Sequence, residues 1–188
     1  MSWIAYVDES QSDRSRDPDT YILAAAVADA TSLDPARQAM LSLRIGRGGK
    51  VHWRDEGPAR RMSIVSTIGG LELEHLVVVR SGHAAERGER RRRLCLEYLC
   101  QELASLGVEK MVLESRGPRD DRRDLNALQA FRAKKIVDSS LRMDHLPGPA
   151  EPMLWIADAV CGAVVAARTR TDAYFRKIES SCTVLPLG

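Results

Sequence analysis

Two periodicities divide this chain into strands and helices. Residues 3–8 are β-prone and apolar on both sides, with Trp3, Ala5 and Val7 on one and Ile4, Tyr6 and Asp8 on the other, which predicts a central strand. A polar stretch with Pro18 separates it from a second apolar run over 21–28, and the two are expected to pair as a hairpin with a longish loop. Asp34-Pro35 caps a short helix to about residue 43, the glycines of 46–49 break it, and helical spacing returns over 58–68 before Gly69-Gly70. This stretch reads as an insertion covering about 30–72. A third strand follows over 73–80, ending in Val77-Val78-Val79 before Arg80, then a long amphipathic helix over 86–106 stopped by Gly107. The expected remainder is a strand over 108–114, a helix capped by Asp124 and continuing to about 137, a short fifth strand over 141–144, and a helix over 152–167 introduced by Pro147, Pro149 and Pro152. The tail to Gly188 is left without an element.

This order, an antiparallel meander followed by βα units, predicts one α/β domain over 1–188. Its mixed five-stranded sheet would carry helices on its faces and a helical insertion between strands 2 and 3. With 188 residues, 44% hydrophobic and 29% charged, the chain has the composition of an ordinary soluble globule. The start of the sequence reaches Asp8 before any signal-like apolar stretch is complete, and the most apolar segment, 152–167, is shorter than the roughly 20 residues that span a bilayer and carries Asp158 at its middle. The expectation is a cytoplasmic protein with no membrane partner. Cys95, Cys100, Cys161 and Cys182 have neither zinc-site spacing nor the density of a disulfide scaffold, so they read as reduced thiols. A formal charge of +2 is too small to argue for nucleic acid by itself, and local clusters must carry that argument.

Three acids stand out. Asp8 and Glu114 project from strand ends, and parallel neighbouring strands would bring them together. Asp158 is the lone charge between Glu151 and Arg168, inside an apolar helix that should be buried nearly all round. An isolated buried carboxylate is costly unless a cation or donor compensates it, and a divalent metal is the economical compensation. The small residues Ala159, Gly162, Ala163 and Ala166 would let this helix approach the sheet and carry Asp158 toward the strand-end acids. Hard oxygen ligands favour Mg²⁺ or Mn²⁺ over zinc. The plain alternatives are a turn closed by Asp8 and a surface pair between Glu114 and Arg116.

Tyr6-Val7-Asp8-Glu9-Ser10, Leu113-Glu114-Ser115 and Leu154-Trp155-Ile156-Ala157-Asp158 resemble, in order along nearly the whole chain, the bacterial family catalogued as domain of unknown function 3800. That family is viewed as ribonuclease-H-like, in which the first and fourth strands lie side by side. The resemblance implies a nuclease-type acidic site at Asp8, Glu114 and Asp158. One departure is Gln11, where the family usually places glycine after the Asp-Glu-Ser triplet.

Other candidates are weighed against plainer roles. Gly46 to Val51 superficially resembles a phosphate loop but lacks its glycine spacing and the Ser/Thr after the lysine, so it is rejected as a nucleotide site. His52 has a possible place at the site, although a packed or exposed histidine is the favoured reading. Arg90 to Arg93 read as a solvated face. Arg116, Arg119, Arg122 and Arg123 follow Glu114 directly and would ring a site there to grip phosphate, against the alternative of salt bridges with Asp120, Asp121 and Asp124. For a fourth ligand, Asp144 is preferred to Glu9, which alternates away from Asp8; Ser10 and His145 are further accessory candidates. The expected function is two-metal hydrolysis of nucleic-acid phosphodiester bonds. The alternative is a catalytically silent binding module for nucleic acid or protein.

Overall fold

The computed structural model describes residues 2–45 and 49–188. Its centre is a six-stranded mixed sheet in the order β5-β4-β1-β2-β3-β6. β1 (Trp3–Gln11) pairs antiparallel with β2 (Thr20–Asp29), and β2 antiparallel with β3 (Glu74–Ser81). β4 (Val108–Glu114) lies parallel to β1, and β5 (Arg142–Leu146) parallel to β4. The first and fourth strands are therefore side by side, as the resemblance implied.

β2 is buried from Thr20 to Ala28 because helices cover both faces of the sheet. Its Ala24, Ala25, Ala26 and Ala28 are all fully buried, and such small side chains let helices on either side approach the sheet centre. On one face Tyr6, Ile22, Ala24, Val77 and Val112 pack under α5 (Pro152–Thr169), together with α1 (Leu33–Ser42) and α2 (Pro58–Ile68). On the other, Ala5, Val7, Leu23, Val78 and Leu113 pack under α3 (Gly88–Ser105) and α4 (Pro118–Ala133). The strict alternation in β1 decides which residues face which helices. α5 is apolar enough to pass for a membrane span, but its residues from Pro152 to Val164 are buried without a break inside the protein.

The structure corrects the sequence reading in three places. The sheet has a sixth strand, β6 (Cys182–Leu187), parallel to β3 at the edge. Its Pro186 and half-exposed residues hide a strand pattern, since proline is tolerated only at such an edge. α4 starts at Pro118 rather than near Asp124: Gly117, at φ 102°, turns the chain in the left-handed region that suits glycine, and proline opens the helix. Asp124 then falls inside the helix, buried. Third, β1 does not end at Asp8 but continues to Gln11, because Glu9, Ser10 and Gln11 pair with Leu23, Ile22 and Tyr21. The four cysteines are free thiols, as expected. Of the glycine-rich turn read over 46–49, residues 46–48 lie outside the described residues.

Candidate functional site

Asp8 shares the α5 side of the sheet with Tyr6, and the parallel pairing of Val7 with Leu113 sets it beside Glu114 at the end of β4. α5 crosses above: the Cys161 thiol, one turn after Asp158, donates to the Asp8 carbonyl at 3.4 Å. β1, β4 and α5 thus gather the three predicted acids at one place. Glu114 owes its position to Gly148, whose hydrogen faces its carboxylate where a methyl group would overlap it. The Gly148 turn is in turn held to α5 by the buried Trp155 indole, which donates to the Gly148 carbonyl at 2.7 Å.

The insertion supplies the partners of these acids. Lys50 Nζ lies 2.7 and 2.8 Å from the two carboxylate oxygens of Glu114. His52 Nδ1 lies 2.9 Å from Asp158 Oδ2, and the same oxygen accepts the Trp53 backbone N–H at 2.8 Å. Asp158 Oδ1 has no protein donor among the described residues. Asp8 accepts the N–H of Glu9 at 2.8 Å and otherwise faces the other two acids. Its carboxyl is pushed up to about 8, first by burial and then by the charges of Asp158 and Glu114, with Lys50 opposing. The hydrogen bond from His52 to Asp158 raises the imidazole above its ordinary value.

His52, for which the sequence favoured a packed or exposed role, is thus held against one of the gathered acids. Lys50 lies in the segment that fails as a phosphate loop, and its partner is instead Glu114. The available signal was alternation: with Val51 buried between them, Lys50 and His52 fall on one side of an extended segment. Gly162 proves to face the insertion rather than the sheet, because a Cβ there would overlap the Trp53 indole. This close approach seats Trp53, and with it His52, against α5.

Other predicted residues go elsewhere. Asp144 is exposed and pairs with Lys110 at 2.7 Å on the sheet surface, so it is not gathered with the three acids. Glu9 points to the opposite face, where it meets the buried guanidinium of Arg92. Arg92 also binds Asp124 through two bonds, one of 2.6 Å, and Tyr21 at 3.2 Å. Arg92 belongs to this buried network rather than to a solvated face. His145 joins it, with Nε2 3.2 Å from Asp124 Oδ2. Arg116 is drawn to Glu89 at 2.8 Å and Asp124 at 3.4 Å, and Arg123 to Asp120 at 2.6 Å, as the salt-bridge alternative had it. Arg119 and Arg122 stand exposed on α4, the helix that covers the face opposite the acids. Ser10 lines a cleft of about 800 Å³ that opens beside Asp158 and His52.

No three His, Cys, Asp or Glu side chains among the described residues form a ready coordination sphere. The donor chemistry nevertheless fits a hard divalent cation. Three carboxylates from separate elements converge, one of them raised by burial and by the charges of the other two, and an ammonium sits against a second.

No family model matches the chain, and no curated protein matches it. The resemblance to the domain of unknown function 3800 family thus stays one of short motifs. Solved structures do match. A ribonuclease HII from Archaeoglobus fulgidus, solved in a complex with PCNA, superposes with a TM-score of 0.55 at 12% identity, over 94% of this chain and 86% of that one. A ribonuclease H2 from Pyrococcus horikoshii gives 0.49 at 15% identity, over 95% and 74%. A variant of Bst-RNase HIII gives 0.51 at 15% identity over 94% of this chain, which spans about half (53%) of that longer protein. The fold is ribonuclease-H-like.

Proposed function

We propose that this chain is a nuclease that hydrolyses nucleic-acid phosphodiester bonds with Mg²⁺ or Mn²⁺ held by Asp8, Glu114 and Asp158. The observation that carries the reading is the convergence of three carboxylates, from β1, β4 and α5, on one spot of a ribonuclease-H-like sheet. When bound, divalent ions would supply Lewis acidity there, lowering the pKa of a water and stabilising the leaving oxygen. The chain's own residues prepare the place. His52 and the Trp53 N–H fix Asp158 through one oxygen and leave the other open. Gly148 and Trp155 set Glu114, and Lys50 neutralises it until a stronger cation arrives. On the far face Arg92 grips Glu9, which keeps the preceding residue, Asp8, turned toward α5.

One observation favours a second reading, a silent binding module: Lys50 already contacts both oxygens of Glu114, as a permanent structural ion pair would. The two readings part on a cleavage assay. Labelled single-stranded, duplex, hybrid and branched DNA and RNA are incubated with the protein in Mg²⁺ or Mn²⁺. The nuclease reading expects cleavage that Asp8→Asn and Asp158→Asn abolish while the folded spectrum is kept. Binding without cleavage across the panel supports the silent module, and cleavage indifferent to both substitutions would place the chemistry on other residues.

A further inference from the structure

The arginines that follow Glu114 in sequence are not those that line the cleft beside Asp158. Beside Asp158 and His52 opens a cleft of about 800 Å³, walled by the loop after β1, by the segment Trp53–Asp55 and by the last turns of α5. Arg14, Arg54, Arg61 and Arg170 line it. Arg14 and Arg54 are exposed and have no carboxylate partner among the described residues. Arg61 stacks 5.2 Å from the Trp53 ring centroid and bonds only to backbone carbonyls, Trp53 at 3.0 Å and Arg54 at 3.3 Å. Its charge is therefore not cancelled either. Of the acids lining the cleft, Asp13 is met by Arg170 at 3.5 Å and Asp158 by His52, while the Glu9 carboxylate is turned to Arg92 on the other face. The cleft carries a surplus of positive charge next to the gathered acids.

Its walls are pre-set. Arg168 bonds to Asp17 through two contacts of 2.7 and 2.8 Å, and Arg16 donates to the Thr169 carbonyl at 3.2 Å, so the β1–β2 loop is tied to the end of α5. Trp53 is wedged between Gly162 and Tyr174, its ring centroid 5.2 Å from that of the tyrosine, which leaves it buried and unable to stack on a base. A fixed groove with free guanidinium forks, whose lining offers no exposed Trp, Tyr or Phe ring and whose His52 imidazole is held by Asp158, suits the sugar–phosphate backbone rather than bases.

From this we infer that the cleft is the binding track for a polynucleotide backbone leading to the acidic site, with Arg14 and Arg54 as its phosphate contacts and Arg61 as a fixed positive charge in its wall. This deepens the nuclease reading and rests on it for the identity of the ligand, but its test needs no catalysis. Fluorescence anisotropy of labelled single-stranded and duplex oligonucleotides is followed against salt in EDTA, with the full chain. Replacing Arg14 and Arg54 together by glutamine should reduce the slope of log affinity on log salt by about 1.4 on single strands or about 1.8 on duplexes, the release expected for two phosphates. The pair Arg119→Gln and Arg122→Gln on α4 should leave the slope unchanged, and thermal melts should show both double variants folded. Binding that is lost with the α4 pair and indifferent to the cleft pair would overturn the inference, as would no binding at all. Displacement by polyaspartate beyond its effect as added salt would assign the cleft to acidic protein and also overturn it. A protein that binds through the cleft but never cuts would refute the nuclease reading and leave the track standing. A protein that cuts, with the cleft pair unaltered in KM and salt slope, would do the reverse.

Discussion

Lys50→Met is the most searching perturbation of the site, because it removes the ammonium from Glu114 and keeps most of the aliphatic stem. The Lys50 and Glu114 side chains are 19% and 22% exposed and 2.7 Å apart at their closest. At an effective dielectric of about 20, opposite charges at that separation attract by about 6 kcal/mol in gross terms. Desolvation of both groups and ordering of the lysine return much of this, leaving a net contribution of about 1–3 kcal/mol. In metal-free buffer the variant should therefore unfold more easily by about 1–3 kcal/mol, since Glu114 and Asp8 then face each other without that cation. If an ion must displace Lys50 to reach Glu114, its removal should also tighten Mn²⁺ binding by the same energy, about 5- to 150-fold. Saturating metal should then return the variant to wild-type stability. Urea unfolding in EDTA and in millimolar Mn²⁺, with titration calorimetry, reads both quantities. An equal loss with and without metal, or an affinity unchanged or weakened by the substitution, would mean that Lys50 and the ion do not compete, and Glu114 would lose its role as a ligand.

Two further predictions concern the frame that holds the site. His75 is 2% exposed, neither ring nitrogen has a hydrogen-bond partner among the described residues, and burial depresses it from 6.5 to about 4. Its folded-state pKa is lowered, so its stability is fully present above 6.5 and is lost as the pH falls from 6.5 to 4, by about 3 kcal/mol in total. His75→Leu cannot ionise; relative to wild type it should gain about 1.4 kcal/mol per pH unit over that window, and parallel urea stability curves would refute the assignment. Asp124 is 4% exposed and compensates Arg92, itself 3% exposed. Burial raises its carboxyl, but the bonds and charges of His145, Arg92 and Arg116 outweigh this and hold it well below the usual range. Asp124→Ala should lose about 3–5 kcal/mol in urea unfolding, because it leaves a buried guanidinium short of its partner; a loss below about 1 kcal/mol would show that Glu9 alone suffices.

Much of the architecture was legible in local pattern. Residues 3–8, 21–28, 58–68 and 108–114 carry apolar runs or spacings that the observed burial follows, because a side chain's face is decided by its place in a strand or helix. The isolation of Asp158 within an apolar helix was equally a one-dimensional fact, and it pointed to an acid that the structure sets beside Asp8. β6 was not legible, because a parallel edge strand owes its existence to β3, about a hundred residues away, and needs little apolar pattern of its own.

The partners of the charged residues were beyond the sequence altogether. Proximity along the chain suggested that Arg116 would grip phosphate near Glu114, and a strand-end position that Asp144 would complete a metal site, yet Arg116 turns to Asp124 and Asp144 to Lys110. The partner of Glu114 is Lys50 and that of Asp158 is His52, at sequence separations of 64 and 106. Hydrophobic burial depends mainly on which face a residue occupies, and that is written locally. Ion pairing depends on distances of a few ångströms between side chains from remote segments, so which arginine, lysine or histidine meets which acid was decided only when the sheet and α5 brought those segments together.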